Sequence, residues 1–301
     1  MVEKKALELK VFDRKAKIIF SEKIYGEKSL LWLYKKSFLS KCLCHLFSSF
    51  PFFSFIYGLW AKSSFSKKKI LPFIQKFSID TSEFERPVEK FTSFNDFFIR
   101  QLKPTARPIS SQDAILPADA RYLAFSTLKE VKNFFVKDQK FDLESFLKEP
   151  VFAEKYASGS MVIARLAPVD CHRFYFPFDC SPQKSKLING CLYSVNPLAL
   201  KQSFSNFLQN KRILTVLKTE KFKDVLMVEV GAMNVGSIIQ TCLEKTKCQK
   251  GAEKGYFALG GSSIVLFFEE NTIKFDQDLI DNSLKGIETY GQFGDSLGTC
   301  F

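Results

Sequence analysis

The sequence is poor in the side chains that most often bind metals. Its 301 residues include only two histidines, and its eight cysteines form no Cys-x-x-Cys pair. A zinc site would have to gather ligands from distant segments, so we expect no metal centre. The opening residues, MVEKKALELK, lack the apolar run of a signal peptide. The cysteines are therefore expected to be reduced thiols in a cytoplasmic compartment.

Positive charge is concentrated at one end of the chain. The formal net charge is +12, and residues 1–76 hold 16 Lys and Arg against 5 Asp and Glu. The rest of the chain is nearly neutral, which argues against a nucleic-acid-binding surface spread over the whole protein. Many of the 34 phenylalanines lie in the same N-terminal quarter. That quarter therefore differs in chemistry from the remainder.

A stretch without charge lies inside this basic quarter. Residues 42–61, CLCHLFSSFPFFSFIYGLWA, contain no Lys, Arg, Asp or Glu and are about as long as a membrane-spanning helix. Pro51 interrupts the run and lysines flank it on both sides, a pattern typical of helices that lie in the membrane interface. We expect monotopic contact with an anionic membrane. A transmembrane helix, and packing of these aromatic residues on the protein core, are the alternatives.

The pattern of apolar residues predicts a short ribbon, then helices, and then a region rich in strands. Residues 1–28 predict a short β-ribbon, and residues 30–77 predict helices interrupted at Pro51 and near Ser63. The run Ser93-Phe94-Asn95-Asp96 is a capping-box pattern, which predicts a further helix that ends before Pro104.

Downstream, short apolar segments are separated by proline and glycine, as in a sheet with many turns. Asn196-Pro197 predicts the start of one intervening helix. The sequence thus predicts an α+β fold. An N-terminal helical, membrane-facing portion, residues 1–105, packs on a mostly antiparallel β domain, residues 106–301.

Four residues, Gly260-Gly261-Ser262-Ser263, directly precede an apolar strand. Two glycines give the backbone the freedom that the Ser262 hydroxyl needs to reach the carbonyl carbon of Gly261. That geometry would allow an N-to-O acyl shift between Gly261 and Ser262. A plain turn would have the same composition.

Two further stretches offer groups for acid–base chemistry. His172 lies in LAPVDCHRFYFP, and because His45 falls in the uncharged run, His172 is the imidazole available to a site in the β domain. Asp119 lies in ILPADAR, where a strand is expected to meet a turn. Either residue could instead be structural. The glycine-rich residues 291–298 could bind phosphate through backbone amides or form a simple turn.

Taken together and in order, these stretches resemble the phosphatidylserine decarboxylase family, pyruvoyl-dependent lyases that convert phosphatidylserine to phosphatidylethanolamine and CO2. The resemblance covers at least 200 residues. It includes FNDFFIRQLKP (94–104), GCLYSVNP (190–197) and VGAMNVGSI (230–238). The shared order of the motifs, more than any one of them, carries the resemblance.

The resemblance implies a proenzyme that cleaves itself between Gly261 and Ser262. Ser262 would attack the carbonyl of Gly261, and β-elimination of the resulting ester would leave a β chain, residues 1–261, and an α chain, residues 262–301. The α chain would begin with a pyruvoyl group made from Ser262. This group forms a Schiff base with the substrate amine and accepts electrons as the carboxylate leaves. No external cofactor would be needed, and Ser263 would be a supporting neighbour.

The resemblance also implies partners for Ser262. Asp119 matches the acidic member of an Asp-His-Ser relay that assists self-cleavage. The family commonly has two histidines three residues apart, where this chain has His172 and Tyr175. We expect His172 to serve both maturation and the substrate step. Alternatively, Tyr175 donates a hydrogen bond while Asp119 or water acts as base, or cleavage is slow or lost. Ala120 replaces a usual glycine, which would strain a turn that requires positive φ.

The implied partners are phosphatidylserine, an anionic membrane surface bound by the N-terminal region, and the two chains of one precursor. The expected location is the cytoplasmic face of a cell membrane, as a peripheral protein, with no nucleic-acid partner. Lys250 and Lys254 are candidate neighbours of the lipid phosphate. The alternatives are a non-enzymatic peripheral membrane protein and a pyruvoyl decarboxylase of a soluble amino acid.

Overall fold

The computed structural model describes residues 9–26, 51–128, 142–196, 205–232, 237–260 and 262–301. Within these ranges the fold is mixed α and β, with mostly antiparallel sheets, as the sequence predicts. The predicted helical residues 30–50, the start of the helix expected at Pro197, and Gly261 lie outside the described residues. The division of the chain after residue 105 stays a prediction.

The described helices are mostly short. They are α1 (Pro51–Lys62), α2 (Ile70–Phe77), α3 (Phe94–Phe98), α4 (Leu143–Leu147), α5 (Pro150–Tyr156), α6 (Ser205–Leu208) and α7 (Gln277–Leu284). A 3-10 segment, Ser64–Lys69, separates α1 from α2, which confirms the predicted break near Ser63. Ser93 caps α3 by accepting a hydrogen bond from the backbone N–H of Asp96, at 3.1 Å. The capping pattern therefore acts as predicted, and the helix ends before Pro104.

The described strands are numbered in chain order. They are β1 (Lys10–Asp13), β2 (Ile18–Ser21), β3 (Ala114–Ile115), β4 (Ala120–Phe125), β5 (Ser160–Leu166), β6 (Arg173–Tyr175), β7 (Ser181–Pro182), β8 (Lys186–Ile188), β9 (Arg212–Lys218), β10 (Asp224–Gly231), β11 (Ser237–Gln240), β12 (Glu253–Ala258), β13 (Ser262–Phe268), β14 (Ile273–Phe275), β15 (Glu288–Gly291) and β16 (Ser296–Cys300). The ribbon predicted within residues 1–28 is the β1–β2 pair.

One large sheet organises the molecule. Its strand order is β2-β1-β15-β4-β5-β13-β10-β9-β7, with β8 also paired to β9. The pairing of β1 with β15 is parallel, and the other strand pairs of this sheet are antiparallel. Two three-stranded sheets, β11-β12-β6 and β14-β16-β3, complete the described strands.

The strand β13 lies in the middle of the large sheet and is buried along its whole length. Ile264 and Leu266 pack into the core on one face of the sheet, and Val265 and Phe267 pack into the core on the other. Successive side chains of a strand point to opposite faces, so a continuous apolar run is what a strand covered on both faces needs. Ser262, the first residue of β13, is therefore held on a rigid central element.

A third core consists largely of N-terminal aromatic residues. Its buried members are Ala61, Ile70, Phe73, Phe84, Phe91, Phe94, Phe97, Phe98 and Leu259. We call this group the aromatic cluster. Leu259 comes from the segment just before β13, so the cluster joins the N-terminal helices to the β domain. Among the described residues, no helix is long and apolar enough to cross a bilayer.

Candidate active site

Ser262, the predicted nucleophile, sits between two neighbouring strands. Its backbone is in register with Leu166 of β5 and with Gly231 of β10. The side chain is fully buried, and no described group makes a hydrogen bond to its Oγ atom. An unsatisfied buried hydroxyl costs about 1–3 kcal/mol, so this arrangement does not serve stability. Ser262 is placed as a reactive group would be.

The segment before Ser262 is strained. It connects β12, in a three-stranded sheet, to β13 in the large sheet through residues 259–261. Leu259 has φ of 39°, in the left-handed region that non-glycine residues avoid, and Gly260 has φ of 122°. Such a conformation costs roughly 1–3 kcal/mol and persists only where the surroundings hold it. Here the buried side chain of Leu259 is anchored in the aromatic cluster.

His172 lies beside this strained turn. Its ring packs on Phe98 with centroids 3.9 Å apart, and it is fully buried. Nδ1 is 3.2 Å from the carbonyl oxygen of Asp170, an acceptor, which places the proton on Nδ1. Nε2 has no hydrogen-bond partner among the described residues. The imidazole therefore offers a free acceptor.

The pKa of His172 is lowered from 6.5 to about 3. Burial is the main cause because it disfavours the imidazolium, while the backbone of Asp170 and the nearby backbone of Gly260 oppose the shift. Gly260, two residues before Ser262, is thus a close neighbour of the ring. The structure brings His172 to the turn that carries the predicted cleavage site, in the neutral state that can accept a proton.

The carboxylate of Asp119 is bound by Arg107 and by the backbone of Phe293. Arg107 binds both of its carboxylate oxygens, with Nε to Oδ1 at 3.0 Å and Nη2 to Oδ2 at 2.8 Å. The backbone N–H of Phe293 donates to Oδ1 at 2.8 Å. Arg107 is shared with Glu83. Among the described residues, no hydrogen bond joins Asp119 to His172, so the predicted relay is not closed by direct bonds.

Tyr175 lies on the side of Asp119. Its ring stacks on Phe293 with centroids 3.7 Å apart, and both Tyr175 and Asp119 line a cavity of about 300 Å³ that Cys171 also lines. Burial raises the pKa of Tyr175, so its hydroxyl stays protonated. The second motif position therefore lies near Asp119, and His172 lies beside Gly260.

Two expectations from the sequence are wrong. Ala120 begins β4 and is not among the residues with positive φ, so the strain expected at that turn does not arise. Lys254 does not face a ligand, because its Nζ atom is fully buried 2.8 Å from Glu229. Lys250 Nζ donates to the carbonyls of Ser110 and Gln112 at 2.9 and 2.7 Å. Both lysines are engaged within the protein.

A larger cavity, of about 500 Å³, reaches Gly260. We call it the main cavity. Aromatic side chains of the N-terminal helices and of α3 form much of its wall: Tyr57, Phe73, Phe94 and Phe98. The loop that follows β5 and precedes His172 forms another part, through Ala167, Pro168 and Val169. An amphiphilic molecule in this cavity would lie beside the strained turn.

A network of buried charges, of which Glu22 and Arg165 line the main cavity, was missed by sequence reasoning. Glu22, at the end of the ribbon, lies 2.7 Å from Arg165 and 2.5 Å from Arg121. Arg165 also binds Glu288 of β15, and Arg121 binds Asp170. Burial raises the pKa of Asp170 to about 6, against the opposite effect of Arg121. This ionic network fixes the loop before His172 to three strands.

A signal for this network was present in the sequence. Arg121 in ADARYLAF and Arg165 in MVIARLA interrupt apolar strands. They stand opposite each other in the β4–β5 register. A buried arginine needs a counter-ion, and two facing arginines need more than one. Nothing local identifies the carboxylates, because Glu22 and Glu288 are distant in the chain.

Comparisons with known proteins point to one family. A sequence model described as phosphatidylserine decarboxylase matches residues 94–293. The phosphatidylserine decarboxylase proenzyme of Chlamydia pneumoniae is 49% identical over 288 residues, 95% of each chain. That of Chlamydia caviae is 48% identical over 292 residues, 96% of this chain and 97% of the relative. That of Fusobacterium nucleatum is 43% identical, with the same coverage.

Proposed function

The chain belongs to the phosphatidylserine decarboxylase family, and we propose that Ser262 is the residue it converts to the pyruvoyl group of these self-processing carboxy-lyases. The reaction is the decarboxylation of phosphatidylserine to phosphatidylethanolamine and CO2. The observation that supports the assignment of Ser262 is a buried hydroxyl without a partner, directly after a strained turn and near a neutral imidazole.

The proposed maturation uses residues of the chain itself. Ser262 Oγ attacks the carbonyl carbon of Gly261 and its proton passes to Nε2 of His172. The amide C–N bond breaks, the nitrogen takes a proton, and an ester remains. Loss of the Ser262 Cα proton then breaks the bond between Cβ and Oγ of residue 262. Oγ stays on residue 261, which therefore ends in a carboxylate. Water replaces the nitrogen at residue 262, and ammonia leaves.

The surroundings of residue 262 fit a pyruvoyl group. The backbone is held between β5 and β10, the side chain lies among buried groups, and the neighbouring main cavity gives a substrate access. The group supplies a ketone that captures the substrate amine and withdraws electrons as CO2 leaves. The ring of His172 packs on Phe98, which lines the main cavity together with Gly260.

We assign supporting roles to Asp119 and the residues around it. Asp119 binds the N–H of Phe293, and the ring of Phe293 stacks on Tyr175. This stacking fixes Tyr175, which lies three residues after His172 in the sequence. Asp119 is thus a positioning residue for the segment that carries His172. Ser263, buried in the register between Val230 and Arg165, holds the start of β13.

Membrane contact is proposed for the N-terminal helices. Ile56 and Leu59 of α1 and Leu71 of α2 are 47–59% exposed, and Phe65 between the helices is 77% exposed. Lysines accompany them, including Lys62, Lys68 and Lys69. Exposed apolar side chains beside basic ones suit an anionic bilayer surface. We propose peripheral attachment to the cytoplasmic face of a cell membrane, with α1 and α2 carrying the contact.

The test of the function compares Ser262→Ala with Ser263→Ala. Purified wild-type protein should release CO2 from phosphatidylserine labelled in the serine carboxylate, and phosphatidylethanolamine should accumulate. Ser262→Ala should abolish both, whereas Ser263→Ala should still form its α chain from residue 262. Decarboxylation that persists in Ser262→Ala would contradict the assignment. A wild-type protein that binds vesicles without releasing CO2 would favour a non-enzymatic membrane protein.

A further inference from the structure

The segment that follows the β-ribbon, residues 22–26, forms one wall of the main cavity. Lys23, Tyr25 and Gly26 line the cavity from this segment, and Phe73 and Lys76 line it from α2. The sequence assigned no role to this segment. Its presence beside Gly260 raises the question of which part of a substrate it contacts.

The position of this wall is fixed on both sides. Glu22 is bound to Arg165 at 2.7 Å, and the backbone N–H of Glu22 donates to the carbonyl of Leu9 at 2.9 Å. Tyr25 packs edge-on against Phe73, with ring centroids 5.5 Å apart. Lys23 lies between these two anchored residues. Its backbone is therefore held at the cavity wall and not on a free end.

Four charged residues line the main cavity, and two of them neutralise each other. Arg165 is bound to Glu22 and also to Glu288, at 2.5 Å. Lys23 and Lys76, the other two, have no carboxylate within 4.0 Å in the part of the chain that the structure describes. The remaining wall consists of apolar, aromatic and uncharged polar residues. Two exposed lysines, for which the described residues offer no carboxylate partner, thus stand at the wall of the cavity.

Two lysines at the wall of a mostly apolar cavity favour an anionic ligand. Field lines are focused by the low-dielectric walls, which raises the local concentration of negative ligands. Lysine binds phosphate oxygens as a compact point charge, and charge-assisted hydrogen bonds are the strong ones. In phosphatidylserine, two carbon atoms separate the amine that must react at residue 262 from the phosphate ester oxygen. The phosphate must therefore lie in the same cavity as the amine.

We propose that Lys23 and Lys76 bind the phosphodiester of the lipid headgroup and so direct the serine moiety toward residue 262. The inference rests on the proposed function. It makes the segment after β2 part of the substrate site, with one phosphate ligand from that segment and one from helix α2. The acyl chains then leave past Tyr57 and Phe73, on the side of the exposed apolar residues of α1 and α2.

The test uses the processed enzyme and a short-chain phosphatidylserine below its critical micelle concentration, so that membrane attraction plays no part. The variants are Lys23→Gln, Lys76→Gln and the double substitution. We expect the double variant to raise KM about tenfold, as loss of charge-assisted contacts implies, with kcat changed less than about twofold. Lys15→Gln, an exposed ribbon lysine that does not line the cavity, is the matched control and should leave KM unchanged.

A competition arm identifies the source of the phosphate. Glycerophosphoserine should inhibit the wild type competitively and lose most of this effect in the double variant. If inorganic phosphate inhibits as strongly with the same lysine dependence, the site is a free-phosphate site and the headgroup proposal is overturned. An unchanged KM in the double variant also overturns it. Failure of the proposed function is distinct, because the wild type itself would then produce no phosphatidylethanolamine.

Discussion

Leu259 combines a strained backbone with a firmly packed side chain. Its φ of 39° is unfavourable for a residue with a Cβ atom, and its side chain is 3% exposed within the aromatic cluster. Packing of the side chain therefore holds the turn that presents the bond between residues 261 and 262. In this way the aromatic cluster holds the backbone three residues before Ser262.

Truncating Leu259 should slow self-cleavage. Leu259→Ala removes the packing that holds the turn, and we expect processing to slow at least tenfold, whereas Leu259→Met should process at a rate close to the wild type. The measurement is the fraction of cleaved chain against time on a denaturing gel. Ile70→Ala, in the same cluster but distant from the turn in sequence, is the control for general destabilisation. Equal slowing by Ile70→Ala would contradict a specific role of Leu259.

His172 should make the folded protein sensitive to acid. Its pKa falls from 6.5 to about 3 on folding, so between these values the unfolded chain binds a proton that the folded chain does not. The stability contributed by the neutral imidazole is therefore lost as pH falls from 6.5 toward 3, at up to about 1.4 kcal/mol per pH unit. This loss opposes any gain from the raised pKa of Asp170.

The measurement is urea unfolding of the uncleaved Ser262→Ala chain at pH 7 and pH 5. Adding His172→Gln should reduce the loss of unfolding free energy between these two pH values by about 2 kcal/mol, because one titrating group is removed. Identical losses with and without His172 would show that the imidazole does not titrate as described.

At the scale of single residues, the sequence predicted which residues form the site better than it predicted which residues they contact. Ser262 and His172 were expected to act together, and the structure places His172 against Gly260. Asp119 was expected to orient the imidazole, yet Arg107 occupies its carboxylate. A motif identifies an acid, but it does not show which of several nearby cations that acid binds. That choice depends on contacts between distant segments.

The elements of the fold divide into those with local signals and those without. The capped helix α3 and the apolar strand β13 follow from short patterns, a capping box and a continuous apolar run. The parallel pairing of β1 with β15 does not, since its partners are separated by almost the whole chain. Only after that pairing is known can the segment that follows the ribbon be placed at the wall of the main cavity.

The exposed faces of α1 and α2 should bind anionic vesicles. Replacing Leu59 and Leu71 by serine removes two exposed apolar side chains, each able to contribute up to about 2 kcal/mol on burial in a bilayer. We expect at least tenfold weaker binding of the double variant to phosphatidylserine-containing vesicles in a flotation assay. Activity on a dissolved short-chain substrate should remain.

Leu284→Ser is the matched control for this experiment. Leu284 is 66% exposed but lies on α7, away from the N-terminal helices in the chain. Its substitution should leave vesicle binding unchanged. Equal loss of binding in Leu284→Ser, or none in the double variant, would remove α1 and α2 from the membrane contact.

The whole molecule is built so that cleavage need not separate the two chains. Residues 262–301 supply β13, which lies between β5 and β10, and β15, which lies between β1 and β4. Arg14 of the ribbon binds Asp276 and Asp278 from the same C-terminal segment. Backbone pairing and buried side chains on both sides hold this segment. We expect the two chains to co-elute under native conditions and to separate only in denaturant.

The central claim is self-cleavage between Gly261 and Ser262, and the mass of the mature protein under denaturing conditions tests it most directly. We expect two species, residues 1–261 and residues 262–301. The smaller should resist Edman sequencing and be lighter than a serine-initiated chain by one ammonia. A catalytically active sample that consists of a single intact 301-residue chain would contradict it.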